Sequence, residues 1–225
     1  MPSAGGVYLF FLGLACGIAL LTATSYRRVS PRWLRWLLIV SGVFVMSRYA
    51  TMALFTATEA PRHFLALRPC WFATSIGLTL PSVFALDQLL RHPAMTPRKL
   101  LIWFSPFLAV YGLVLLFAGV TLVPDRLVGW ALHLGSGWQV LLSLTQGVFV
   151  IGFIGISVML MRKIPAAPIR LALLGLAAGQ AYLGLDGLLQ ALGRWYFRPF
   201  LYSEMLMLLA LWHAYETSAK LQSGA

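Results

Sequence analysis

The chain carries 225 residues, 60% of them hydrophobic and 10% charged, and its 17 lysines and arginines against 6 aspartates and glutamates leave a formal charge of +11. Soluble domains carry roughly 25% charged residues, so this composition excludes a water-soluble globular fold and points to lipid as the solvent. Two cysteines exclude a disulfide framework.

Seven apolar stretches, each near the ~20 residues that cross a bilayer core, fill most of the chain. They run Val7–Thr24, Trp33–Phe55, Pro69–Leu90, Leu100–Leu122, Trp138–Met161, Ile169–Leu192 and Pro199–Tyr215. The short alternating segments of a membrane β-barrel are not visible. The expected fold is therefore an all-α integral membrane protein, a single domain over residues 1–225 built as a seven-transmembrane-helix bundle. No charged residue precedes the first stretch and arginines follow it, the reverse of a secretory signal, so it is read as a retained span. The longest connection, Val123 to Gly137, reads as a short amphipathic turn on the membrane surface or a plain loop.

Orientation follows from basic residues, which short cytoplasmic loops retain. Arg27, Arg28, Arg32 and Arg35 follow the first span, Arg91, Arg98 and Lys99 the third, Arg162, Lys163 and Arg170 the fifth, and Lys220 the seventh. The alternate connections hold fewer: Arg62 and Arg68, then Arg126, then Arg194 and Arg198. The N-terminus is expected outside and the C-terminus in the cytoplasm. Tryptophans favour the membrane–water boundary, and Trp33, Trp36, Trp103 and Trp212 fall at the inner boundary, with Trp71, Trp130, Trp138 and Trp195 at the outer. The absence of asparagine and the preference for arginine over lysine fit a bacterial inner (cytoplasmic) membrane. The positive charge is explained by this topogenic bias, with some attraction to anionic headgroups, and implies no nucleic-acid partner.

Small residues at Gly13 and Gly17, and again at Gly175 and Gly179, repeat one helical turn apart and let another helix backbone approach closely. Both pairs are expected to pack within the chain. Cys16 and Cys70 lie at different depths and are expected to remain thiols.

The informative residues are ionisable groups that hydrocarbon excludes, at a cost on the order of 2.5–3.5 kcal/mol each. Arg48, Asp186 and Glu204 all fall roughly 8–12 Å below the outer boundary at a rise of ~1.5 Å per residue, which predicts an Arg48 salt bridge with Asp186, Glu204 or both. Tyr182 and Gln190 flank Asp186 at a spacing of four and share its helix face. Tyr49 and Ser203 neighbour the other two charges, and Trp71, Arg68 and His63 stand nearer the surface. Together these residues are placed to line a polar pocket open to the outside, for ligand binding or proton coupling; the alternative is an ion-pair network that locks the helices. Nearer the cytoplasm, Asp87 precedes Arg91 by four residues and Glu216 precedes Lys220 by four, both favourable orders for helical ion pairs. His213 and Glu216, with His92, are too few and too scattered for a metal site.

Catalytic and cofactor signatures are missing. There is no His-Glu-x-x-His, no Gly-x-Ser-x-Gly, no Walker phosphate loop and no Cys-x-x-Cys. The three lysines sit at cytoplasmic helix ends, so no retinal Schiff base is expected, and the Pro-Gln dipeptide of seven-helix sugar transporters is absent. No cofactor and no metal are implied. Three function classes remain. The first is a ligand-binding sensory or regulatory membrane subunit, taking an extracytoplasmic small-molecule ligand and signalling through a partner protein. The second is a small proton-coupled transporter using Asp186 and Glu204, with Pro81 in the third span and Pro106 in the fourth as candidate kink points. The third is a lipid-modifying membrane enzyme with one of those carboxylates as base, and it lacks a visible nucleophile.

Overall fold

The computed structural model describes residues 4–59, 61–91, 96–125, 129–191 and 201–223, with the backbone alone at 4, 61, 75, 190 and 191. Helix α1, Ala4–Ser25, ends in a 3₁₀ turn at Tyr26–Arg28 and leads into α2, Arg32–Ala57. A 3₁₀ segment, Pro61–Leu67, is followed by three pieces: α3, Arg68–Trp71; α4, Thr74–Gly77; and α5, Thr79–Leu90. Helix α6, Pro97–Phe117, leads into an antiparallel hairpin of β1, Val120–Asp125, and β2, Gly129–Leu134. Helices α7, Ser136–Lys163, α8, Ala167–Ala191, and α9, Leu201–Ser223, complete the chain.

Five of these helical stretches are long and apolar enough to cross a membrane: Gly5–Arg28, Arg32–Ala57, Pro97–Phe117, Ser136–Lys163 and Ala167–Leu189. The all-helical membrane class read from composition is thus matched. Helix α9 is as long, but Glu204, His213, Glu216 and Lys220 make it more polar. Its buried residues Ser203, Glu204, Met207, Leu208, Leu211, Ala214, Tyr215 and Ser218 recur every three to four positions, the period of a helix face turned inward. It packs against α1, α5 and α8, while α2 packs on α1 and on the pieces of the third span.

The stretch Pro69–Leu90, expected as the third span, differs most from its expected form. A continuous helix over Pro69–Leu90 is replaced by three short ones. Threonines, serine and glycine crowd residues 74–79, all weak helix formers beside leucine or alanine. Pro81 has no N–H to give to the carbonyl of Gly77, four residues back. Gly77 also lies so close to α2 that a Cβ added to it would overlap Val45 Cγ2 and stand 3.3 Å from the Ser41 carbonyl oxygen.

The connection after α6 is the second correction. Strands replace the expected surface turn, pairing Val120 with Leu134, Leu122 with Leu132 and Pro124 with Trp130. Alternation of β-branched and apolar residues over Val-Thr-Leu-Val favours an extended chain. The hairpin's Gly129 has φ of +74° and an added Cβ would lie 3.2 Å from the Phe55 carbonyl oxygen, so both conformation and space demand glycine there.

Glycine spacing separates two cases that look alike in sequence. An added Cβ at Gly179 would stand 2.6 Å from Met207 Sδ and 3.2 Å from Met207 Cα, so α8 does meet α9 across small residues. Gly13 and Gly17 have no atom within 4 Å of such a Cβ. The pair on α1 therefore packs against nothing described in the chain. Cys16 and Cys70 are free thiols, as expected.

Candidate functional site

The break between α3 and α4 sets up the polar cluster. Interrupting a helix inside a bundle frees backbone carbonyls, each of which needs a donor from within the protein. At the gap between α3 and α4, Arg48 Nη1 donates to the carbonyl of Trp71, and the Tyr111 hydroxyl on α6 donates to the carbonyl of Phe72. The other face of the same guanidinium meets Glu204: Nη2 lies 2.9 Å from Oε1, and Nε lies 3.1 Å from Oε1 and 3.4 Å from Oε2. Thr74 Oγ1, the first residue of α4, donates to Glu204 Oε1 at 2.7 Å. Arg48 thus ties α2, α9 and the broken span together at one point.

The groups at this joint are deeply buried. Arg48 is 6% exposed and Glu204 1%. Glu204 sits in the first turn of α9, where the helix dipole favours a carboxylate. The Glu204 carboxylate and the Arg48 guanidinium are the charged neighbours of the buried Tyr49 hydroxyl. Of the two predicted partners for Arg48, Glu204 forms the salt bridge. Asp186 on α8 is also buried, and one of its oxygens accepts from the hydroxyl of Ser203, the residue before Glu204. Tyr182 is half-buried on α8, His63 is exposed, and the Gln190 side chain lies outside the described residues.

Trp71 departs from its expected role as a boundary anchor. Its ring is buried edge-on against Phe55, with centroids 5.4 Å apart, and its carbonyl belongs to the joint. Arg68, three residues earlier, faces a separate feature: an open groove of about 920 Å³ between the α3 segment and α6, bordered by Leu65, Pro69, Gly112, Leu115 and Val120. A second, nearly filled cavity of about 20 Å³ lies among Thr79, Phe107, Tyr111, Thr145 and Gln146. Neither is lined by Arg48, Asp186 or Glu204.

Comparisons with protein-family models, with curated proteins and with solved structures find no match.

Two polar layers deeper in the bundle escaped sequence reasoning. Gln180 on α8, fully buried, donates from Nε2 to Ser82 Oγ on α5 at 2.9 Å. The Tyr215 hydroxyl on α9 donates to the carbonyl of Pro81 at 2.8 Å. Helical spacing on a single element does not reveal such cross-helix bonds, because both partners are neutral and ordinary in membrane helices. Thr74 and Tyr111 were missed for another reason: their roles depend on the break, and the break was not read.

Of the two helical ion pairs expected at the opposite end of the bundle, one takes another partner. Glu216 pairs with Arg28 at 3.0 Å, across to the end of α1, in place of Lys220. The Asp87 carboxylate accepts from Gln88 Nε2 at 3.1 Å. Arg91 turns to φ of +44° as the cap of α5, its backbone N–H bonds the Asp87 carbonyl at 2.8 Å, and its guanidinium remains a charged neighbour of the Asp87 carboxylate. Among the described residues no group of three or more His, Cys, Asp or Glu side chains is placed to hold a metal ion.

Proposed function

We propose that the chain is a seven-span protein of a bacterial inner membrane, with its N-terminus outside and its C-terminus in the cytoplasm. The third span is the broken α3–α4–α5 segment and the seventh is α9. Its function in this reading is that of a ligand-binding sensory or regulatory subunit. An extracytoplasmic ligand enters the groove beside Arg68, and the Arg48 joint passes the change to α2 and α9, from which a partner protein takes the signal.

The observation that carries this reading is the continuity between groove and joint. Arg68 and Pro69 border the groove, and Trp71, two residues on, gives its carbonyl to Arg48. A ligand that shifts α3 therefore acts directly on the hydrogen bond that closes the break. The two conformations required of a switch are supplied by an interrupted helix more readily than by a continuous one.

A second reading, a small proton-coupled transporter, is supported by the same interruption. Discontinuous spans near buried carboxylates recur at transporter sites, and Asp186 and Glu204 are both buried. Against it stands the packing of the joint, where the freed carbonyls and both guanidinium faces are already engaged.

Cys70 is half-buried and lies in the chain between Pro69 of the groove and Trp71 of the joint, a position from which labelling can follow both. In a Cys16→Ser background, thiol labelling of Cys70 in proteoliposomes should change rate when a screened ligand binds, with no saturable flux of that ligand. Flux abolished by Glu204→Gln would select the transporter instead. A ligand that stabilises the protein but leaves Cys70 labelling unchanged would refute the coupling of groove to joint.

A further inference from the structure

We propose that the groove between α3 and α6 binds one anionic phospholipid from the leaflet bordering the hairpin, with its phosphate on Arg68 and an acyl chain along Gly112, Leu115 and Leu116. The inference rests on the bilayer-spanning reading above and names the ligand class for that groove.

The lining decides the chemistry. Arg68 is its one charged side chain among the described residues, and the rest of the wall is apolar. Among the described residues, the Arg68 guanidinium makes no ion pair. A sugar or an amino acid needs several placed donors and acceptors, which this wall does not offer. Hydrocarbon needs none. The volume, about 920 Å³, is large for a small-molecule site and has room for a headgroup and part of a chain.

Shape gives a route of entry. Leu116 is 71% exposed and Phe117 66%, so the groove opens sideways onto the apolar surface of α6. A Cβ added to Gly112 would meet nothing within 4 Å, leaving a notch in that wall. An acyl chain reaches the notch from the bilayer without crossing water.

Charge supplies the selectivity. Moving an acyl chain from lipid to an apolar wall brings no hydrophobic gain, because both sides are equally apolar. Discrimination therefore falls to the headgroup, and a guanidinium binds phosphate oxygens in a planar, bidentate geometry. Among the described residues that line the groove there is no acid and no aromatic ring to receive a quaternary ammonium, so a choline headgroup gains nothing there for its cation.

The test uses the full chain in phosphatidylcholine nanodiscs doped with spin-labelled phosphatidylglycerol or spin-labelled phosphatidylcholine. The phosphate contact is common to both lipids, so the immobilised spectral component is expected to favour phosphatidylglycerol by about two- to fivefold at low salt, the size of one exposed charge interaction between choline and Arg68. Arg68→Gln should bring the ratio close to unity, whereas Arg62→Gln, at an exposed arginine on the preceding 3₁₀ segment, should leave it unchanged. Gly112→Phe should reduce the immobilised component for both lipids, with thermal unfolding verifying that each variant folds. Absence of the preference in the unaltered protein, its survival in Arg68→Gln, or its equal loss in Arg62→Gln would each overturn the site. Preference through Arg68 with Cys70 labelling identical in the two lipids leaves the lipid site standing and removes the sensory reading. Cys70 responding to a soluble ligand with no lipid preference does the reverse.

Discussion

Replacing Arg48 by methionine keeps the length of the side chain and removes every hydrogen bond it makes. Glu204, 1% exposed, keeps the Thr74 hydroxyl as a neutral donor with the Tyr49 hydroxyl as a further polar neighbour, and the Trp71 carbonyl loses the guanidinium. Breaking a buried ion pair from one side costs about 3–5 kcal/mol in soluble proteins. Polar contacts between membrane helices measure smaller, about 0.6–2 kcal/mol, because helices dispersed in lipid find other partners. Weighing the two, Arg48→Met should destabilise by about 2–4 kcal/mol and Glu204→Gln by about 2 kcal/mol. The double variant should cost less than their sum by at least ~1.5 kcal/mol, since it leaves no uncompensated charge. Detergent-driven unfolding in bicelles, followed by circular dichroism, reads all three free energies. The Arg48→Met and Asp186→Asn pair should couple more weakly, because Asp186 accepts from Ser203 while the guanidinium's salt bridge is to Glu204. Additivity of Arg48→Met with Glu204→Gln to within ~0.5 kcal/mol would refute the joint.

Tyr111→Phe removes the donor to the Phe72 carbonyl and should cost about 1–2 kcal/mol in the same assay, with no loss if the carbonyl is satisfied otherwise. Gly77→Leu forces α4 away from α2 and should destabilise by about 1–3 kcal/mol, with partial recovery when Val45→Ala opens the facing space. At the two glycine pairs, Gly179→Leu should be destabilising against Met207, whereas Gly17→Leu should lie within about 0.5 kcal/mol of the unaltered protein; equal effects would contradict the packing of α8 on α9. Reporter fusions after Arg28, Arg98, Lys163 and Lys220 should read cytoplasmic, and those near Arg62, Arg126 and Gly193 outside. A cytoplasmic signal from the Arg126 connection would reverse the proposed order of spans.

Apolar length was the most legible property of the chain, because a membrane leaves little choice of element: every stretch read as a span from Trp33 to Phe55, Trp138 to Met161 and Ile169 to Leu192 is a helix that extends within a few residues of those bounds. The meeting of Arg48 with Glu204 was also legible, since helical rise puts them at one depth and hydrocarbon forbids leaving either alone. Depth says nothing about azimuth, and so the choice between Asp186 and Glu204 stayed open. The break at Trp71–Thr74 was not read because hydropathy sums over a window in which Trp71, Phe72, Ile76 and Leu78 outweigh the threonines and glycine. The hairpin was lost in the same way, its apolar alternation absorbed into the end of the fourth span. In both places the signal was local, in the types and order of a few residues, and was averaged away.

The break also changes what the charges imply. A carbonyl freed inside the bundle needs a donor, and the longest-reaching one is arginine, with N–H groups on two sides. Arginine brings a charge that hydrocarbon does not tolerate, so a carboxylate must face it, and the second oxygen-rich partner in turn takes the hydroxyl of Thr74 at the start of the next helical piece. Glu204, Arg48, Thr74 and the Trp71 carbonyl are therefore accounted for by the interruption itself, without a ligand among them. What this closed set does not account for is why the interruption is kept, since the weak helix formers at 74–79 and the close approach of Gly77 to α2 build it into the sequence. The functional question passes from the buried charges to the helix break they hold, and to the groove that borders it at Arg68.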